Sequence, residues 1–120
     1  MAADLFSKYE LNDSMQRNYL GEFEELILLT VAVMNGEGYG VSILKDIATR
    51  TNRSVQLSAV HVALYRLEEK GLVRSHLGGA TKERGGRRKR FFTITPSGIS
   101  LLQDIRHVRE QLWSLMPKPI

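Results

Sequence analysis

The feature that most limits how this chain can fold is a glycine-rich, basic segment between two stretches with a β-strand pattern. Residues Leu72–Leu77 alternate in polarity, and Phe91–Thr95 are all aromatic or β-branched, which is typical of strands. Thirteen residues, 78–90, separate the two stretches, and four of them are glycines. We therefore predict an antiparallel hairpin with a long tip, and the candidates for its core-facing side are Leu72, Val73 and Leu77.

The positive charge of the chain is concentrated in this hairpin tip. The formal net charge of the 120 residues is +4, yet residues 82–90 hold six Lys and Arg side chains against one Glu, a local excess of five. The rest of the chain therefore sums to −1. A surface that only meets water mixes charges of both signs. A basic excess at one place indicates an anionic partner. We expect Glu83–Arg90 to bind that partner.

Three helices are predicted ahead of the hairpin. The first spans about Leu20–Asn35; it begins with an acidic turn, which favours a helix N-terminus, and is then apolar on nearly every side. Such a helix must be buried on more than one face. The second spans about Tyr39–Thr51, and its predicted inner side consists of Val41, Leu44, Ile47 and Ala48.

A third helix is predicted from Ser58, whose hydroxyl is suited to cap its N-terminus, to Lys70, with Gly71 following its C-cap. One arc of this helix is apolar and is expected to face the core: Val60, Ala63, Leu64 and Leu67. The opposite face carries His61, Val62, Tyr65, Arg66 and Glu69. That mixture is unusual for a face that meets only water and suits one that meets bases and phosphates.

The last predicted helix begins at Pro96, which a first helical turn tolerates, behind Thr95 as N-cap, and continues to about Met116. Apolar residues recur along it at spacings of four, three, four and three, the rhythm of a coiled-coil seam. They are Leu101, Ile105, Val108, Leu112 and Leu115. Trp113 widens this seam and is predicted to lie in an interface or in the core. We expect the helix to pack on its own domain and on a second subunit.

This order of elements predicts a winged helix-turn-helix of the α+β class, mostly α with a small β-hairpin. The predicted division is an N-terminal arm (1–19), a winged-helix DNA-binding domain (20–95) and a C-terminal dimerisation helix with its tail (96–120). The third helix is expected to enter the major groove of double-stranded DNA, and the hairpin to follow the backbone or the adjacent minor groove.

The candidate DNA-binding residues follow from this arrangement. On the third helix they are Ser58, His61, Val62, Tyr65 and Arg66. On the hairpin they are Arg84, Arg87, Arg88, Lys89 and Arg90. Tyr39 and Lys45 on the second helix are further candidates for phosphate contacts, with packing between helices as the alternative for Tyr39.

Three stretches of the sequence carry a distinctive set of motifs. They are LGEFEELILLTVAVMNGEGYGVSILKDI from Leu20, SVQLSAVHVALYRLEEKGLV from Ser54 and ERGGRRKRFFTITPSG from Glu83. Together they cover most of residues 20–98. In this order they resemble the PadR family of transcriptional regulators, specifically its small members with a single C-terminal helix.

The resemblance implies a homodimeric, usually repressing winged-helix regulator that binds a partly palindromic operator. It also implies dimerisation through the C-terminal helix, often assisted by the N-terminal segment. The family's Tyr-Gly signature falls on Tyr39 and Gly40, and its Leu-Tyr-Arg-Leu on residues 64–67. The residues before Leu20 and after Arg109 follow no pattern of the family.

Composition and spacing point away from other classes of protein. The chain has no cysteine, which excludes disulfides, thiolate metal sites and cysteine nucleophiles. The histidines, at 61, 76 and 107, lack metal-ligand spacing, and no nucleophile motif is visible, so we expect no enzyme activity, metal or cofactor. No stretch approaches the roughly 20 apolar residues that span a bilayer, and the start lacks the layout of a secretory signal. We expect a cytoplasmic protein.

Two alternatives stay open from the sequence alone. The winged helix could serve as a protein-interaction or double-stranded RNA-binding module, with its basic hairpin on an acidic partner. An apolar groove at the dimer interface, near Trp113 and Met116, could admit a small, flat hydrophobic effector, or the same surface could be fully packed.

Overall fold

The computed structural model describes residues 20–79 and 88–118, which form four helices and one antiparallel pair of strands. The elements are α1 (Glu22–Met34), α2 (Gly40–Thr51), α3 (Leu57–Glu69), β1 (Val73–Leu77), β2 (Arg90–Ile94) and α4 (Pro96–Leu115). The predicted α+β winged helix-turn-helix is confirmed. The predicted arm, residues 1–19, and most of the hairpin tip, residues 80–87, lie outside the described residues.

The first three helices pack around one apolar core. Helix α1 contacts both α2 and α3, which explains why it is apolar on most sides. Its fully buried residues Ile27, Leu28 and Val31 meet Ile43 and Ile47 from α2. All four residues predicted to face the core from α3 are buried: Val60, Ala63, Leu64 and Leu67. The strands and the turn before them add Leu72, Val73 and Phe92.

Strands β1 and β2 form the wing, a hairpin in which Val73 pairs with Ile94 and Leu77 with Arg90. The chain between α1 and α2 extends this sheet by one residue. The backbone N–H of Phe92 donates to the carbonyl oxygen of Gly38 at 2.9 Å. The wing is therefore fixed by main-chain hydrogen bonding to the segment that leads into α2.

The ends of the helices follow local backbone chemistry. Gly71, which follows α3, has a φ of +74°, a left-handed conformation that glycine adopts without steric cost. At the start of α4, Thr95 Oγ1 accepts a hydrogen bond from the Gly98 N–H at 3.1 Å and donates one to the Gly71 carbonyl at 2.7 Å. One side chain thus ties the end of α3 to the first turn of α4. The predicted roles of Gly71 and Thr95 are confirmed.

Three details of the sequence prediction are wrong. Ser58 does not cap α3, because the helix begins one residue earlier and Gln56 occupies the N-cap position. Val41 is 40% exposed, since α2 turns the stripe from Ile43 inward instead. Leu77 is 50% exposed at the end of β1, next to the hairpin tip.

Candidate nucleic-acid interface

The outer face of α3, formed by Ser58, His61, Val62, Tyr65 and Arg66, is open to solvent. Tyr65 is 66% exposed and Val62 is 51% exposed, although both are large and partly apolar. The opposite side of the helix is buried, so the predicted division into an inner and an outer face is confirmed. The first four of these residues stand at i, i+3, i+4 and i+7, which places them on one strip of the helix.

The first turn of α2 lies against this helix at Gly40. A Cβ atom on Gly40 would come within 2.7 Å of Cε1 of His61, closer than side-chain atoms pack without movement. The residue before it, Tyr39, is the N-cap of α2. Its N–H donates to Ser42 Oγ at 2.9 Å, and that hydroxyl donates back to the Tyr39 carbonyl at 3.0 Å. The backbone that carries the Tyr39 ring is therefore held in place.

The ring of Tyr39 connects the start of α2 to the start of β2. It meets the ring of Phe91 edge-on, with centroids 5.8 Å apart and planes at 77°. The Lys89 Nζ lies 4.3 Å from the Tyr39 ring centroid, within the range of a cation–π interaction. His76 of β1 stacks on Phe91 from the same strand pair. These contacts orient the wing relative to the start of α2.

A cleft of about 350 Å³ opens between α3 and the start of β2, next to the hairpin tip. His61 borders it from α3, Tyr39 and Gly40 from α2, and Lys89 and Arg90 from the wing. Two cations and an imidazole thus face one space beside the outer face of α3. Such a space can accommodate the phosphate backbone of a duplex whose groove receives the helix.

The basic residues of the wing differ in how they are held. Arg90 Nη1 donates to Ser75 Oγ at 2.9 Å, and the Ser75 hydroxyl donates to the carboxylate of Glu68 near the end of α3. Arg90 is thereby oriented while it stays exposed. Arg88 is exposed and Lys89 is half-buried, whereas Arg84 and Arg87 lie outside the described residues. Lys45 is exposed on α2.

The sequence prediction missed Phe91 and Glu68 as contributors to this region. For Phe91 a signal was present, because alternation along a strand places Phe91 and Phe92 on opposite faces and only one face can meet the core. Phe92 is the buried one. For Glu68 no local signal exists, since its partner Ser75 belongs to another element and Arg90 lies 15 residues further along.

The seam predicted for dimerisation divides into two parts along α4. Leu101 and Ile105 are half-buried against the core of their own domain. The other four predicted residues are 54–77% exposed: Val108, Leu112, Trp113 and Leu115. Beside them, a groove of about 470 Å³ runs between α1 and α4, with apolar side chains that include Leu29 and Ile99.

Within the described ranges, 20–79 and 88–118, no cluster of His, Asp and Glu could hold a metal ion. None of the four helices described above is long and apolar enough to cross a membrane.

Three packed helices, of which the third is open along one face, followed by a two-stranded wing, define a winged-helix protein. The chain belongs to the PadR-like family of transcriptional regulators, whose family profile matches residues 28–104. Proteins of this family are transcriptional regulators and not enzymes. The resemblance seen in the sequence motifs is confirmed.

Three known proteins are similar to this chain. It is 29% identical over 87 residues to an uncharacterised protein from Lysinibacillus sphaericus, a match that covers 71% of this chain and 75% of that one. A PadR family transcription regulator from Clostridium difficile superposes with a TM-score of 0.66 at 22% identity, over 80% of this chain and 95% of the other. A PadR-like transcription factor from Bacteroides fragilis gives 0.66 at 17% identity, over 88% and 93%. The two solved structures share the fold.

Proposed function

We propose that this regulator binds double-stranded DNA sequence-specifically and represses transcription as a homodimer on a partly palindromic operator. The observation that carries the proposal is the cleft that joins the outer face of α3 to two cations of the wing, Lys89 and Arg90. Contacts to base edges in the major groove discriminate sequence. Contacts to phosphates set position and affinity. The two kinds of group lie side by side in this domain.

In the proposed complex, α3 enters the major groove with Ser58, His61, Val62 and Tyr65 towards the bases. Arg66 lies at the edge of this strip, and Tyr39 and Lys45 meet flanking phosphates through the hydroxyl and the ammonium group. The wing follows the backbone or enters the adjacent minor groove, where arginine meets a negative potential. Its contributing residues are Arg84, Arg87, Arg88, Lys89 and Arg90.

In the proposed dimer, the second subunit supplies another copy of α3 and of the wing to the DNA. The exposed apolar residues of α4 support pairing through that helix, because contiguous exposed apolar surface marks interaction sites. Two copies of α3 would then stand about 34 Å apart, one turn of the duplex, which corresponds to a palindromic operator. We propose that the partner subunit, rather than a small hydrophobic effector, fills the groove beside Trp113.

The direct test is a gel-shift titration of the full chain with genomic DNA fragments at physiological salt. We expect one or a few promoter fragments to be retained over bulk competitor DNA. Equal retention of all fragments would contradict sequence-specific binding. Stronger retention of double-stranded RNA, or of an acidic protein with no DNA retained, would favour an interaction module instead. For repression, a reporter placed behind the retained promoter should rise in expression when the chain is removed.

A further inference from the structure

The first turn of α1 carries three carboxylates, and each pairs with a cation from a different part of the domain. Glu22 pairs with Arg53 in the link between α2 and α3. Glu25 accepts a hydrogen bond from Arg109 of α4 at 2.7 Å. The third, Glu24, reaches the end of the helix that faces the proposed DNA.

Glu24 contacts two basic residues of this helix end. Its Oε2 accepts a hydrogen bond from Lys70 Nζ at 3.0 Å, and its Oε1 lies 3.9 Å from Arg66 Nη1. The side chain of Glu24 is 14% exposed and that of Lys70 is 24% exposed, so this part of the contact is held by packing. The side chain of Arg66 is 63% exposed and keeps freedom to move.

A groove beside Arg66 leaves room for its guanidinium to move. A groove of about 570 Å³ lies between the start of α1 and α3, and Arg66 borders it together with Phe23, Ala59 and Val62. Glu24 also lines this groove. The long side chain of Arg66 can therefore lie along the groove towards Glu24 or extend outward from α3 towards a phosphate.

We propose that Glu24 is a specificity-determining residue, which acts by restraining Arg66 and Lys70 so that they do not bind any nearby phosphate. This inference rests on the proposed DNA binding. Phosphates are present in every sequence, so an unrestrained cation raises affinity for all duplexes. A cation held by Glu24 must give up its ion pair to bind a phosphate in a random complex. In the operator complex the base contacts of α3 set the register and the pair stays in place.

The test compares Glu24→Gln with Glu22→Gln in the full chain. Both changes raise the net charge by one within the same helical turn. Glu22 also lines the groove beside Arg66, but it pairs with Arg53, and among the described residues it has no ion pair with α3. Binding is measured by fluorescence anisotropy on two duplexes of equal length, the promoter fragment retained by the wild type and a random sequence. We expect Glu24→Gln to tighten binding to the random duplex about threefold, the scale of an exposed ion pair. Operator affinity should stay within about twofold, and Glu22→Gln should affect both duplexes alike.

Arg66→Gln separates the proposed restraint from a general effect of charge. In the Glu24→Gln background this second change should remove most of the gain on random DNA. Equal tightening on both duplexes by Glu24→Gln, or the same response to Glu22→Gln, would overturn the proposal. If Glu24→Gln does not fold, Glu24→Asp shortens the reach of the carboxylate and should still tighten random binding more than operator binding; equal changes on both duplexes overturn the proposal. A wild type that binds both duplexes equally contradicts the proposed function itself.

Discussion

The imidazole of His61 on α3 occupies the space that a side chain at position 40 would need at the start of α2. His61 therefore serves as a spacer between the two helices while it also belongs to the outer face of α3. Because Tyr39 directly precedes Gly40 and contacts the wing, this single contact relates the position of α3 to that of the hairpin. At the Gly40–His61 contact, one side chain both packs against α2 and belongs to the surface proposed to bind DNA.

Replacing Gly40 with alanine should weaken operator binding while changing the free energy of unfolding by less than about 1 kcal/mol. The new Cβ would displace the His61 imidazole, and this costs little because the ring is the exposed end of a flexible side chain, while the better helix propensity of alanine offsets up to about 1 kcal/mol. Chemical denaturation and gel shifts measure the two effects. Gly79→Ala is the control, because nothing lies within 4 Å of a Cβ there. A loss of stability above about 2 kcal/mol in Gly40→Ala would show that His61 cannot move aside.

Removing the arginines of the wing should weaken binding to every duplex. Changing Arg87, Arg88 and Arg90 together to alanine should leave the fold intact and make the salt dependence shallower, by about 0.9 in slope for each phosphate that these residues neutralise in the wild type. Salt titrations of binding to operator and random DNA measure this slope. Arg106→Ala removes a charge from α4, where the side chain is 79% exposed, and should leave the slope unchanged. An unaltered slope in the triple variant would rule out phosphate contacts by these residues.

Tyr65 should contribute to sequence preference rather than to overall affinity. Because its side chain is 66% exposed, Tyr65→Ala should change the free energy of unfolding by less than about 0.5 kcal/mol. Discrimination of the operator from random DNA should fall by about 1–3 kcal/mol. His61→Ala should act in the same direction. Competition gel shifts with both duplexes provide the measurement, and an equal loss on both would argue against base contact.

The exposed part of α4 should hold the dimer together. Leu112→Lys with Trp113→Lys places two charges on a surface that is 61% and 71% exposed in the single chain, so the monomer should keep its fold while association is lost. Sedimentation velocity distinguishes the two states. Leu77→Lys, at a 50% exposed apolar position on the wing, is the matched control and should remain dimeric. A dimer that survives the double change would place the interface elsewhere.

Local chemistry explains which predictions from the sequence succeeded. The inner arc of α3, the cap at Thr95 and the left-handed Gly71 depend on residues within about one helical turn, and each was visible as a pattern. Ser58 shows where such reasoning fails, because a serine near a helix start can lie inside the first turn as well as at the cap. Val41 failed for a related reason, since a small shift in the face of a short helix exchanges which residues are buried.

By itself the sequence determined the order of the elements, the buried side of α3 and the concentration of positive charge in the wing, because residue type and spacing define all three. Only the tertiary structure decided three contacts. Gly40 lies against His61, Tyr39 contacts Lys89, and Glu24 pairs with Lys70, which is 46 residues further along the chain. Such contacts depend on the relative placement of whole elements. That placement is set by the close packing of the entire core and not by any local stretch of sequence.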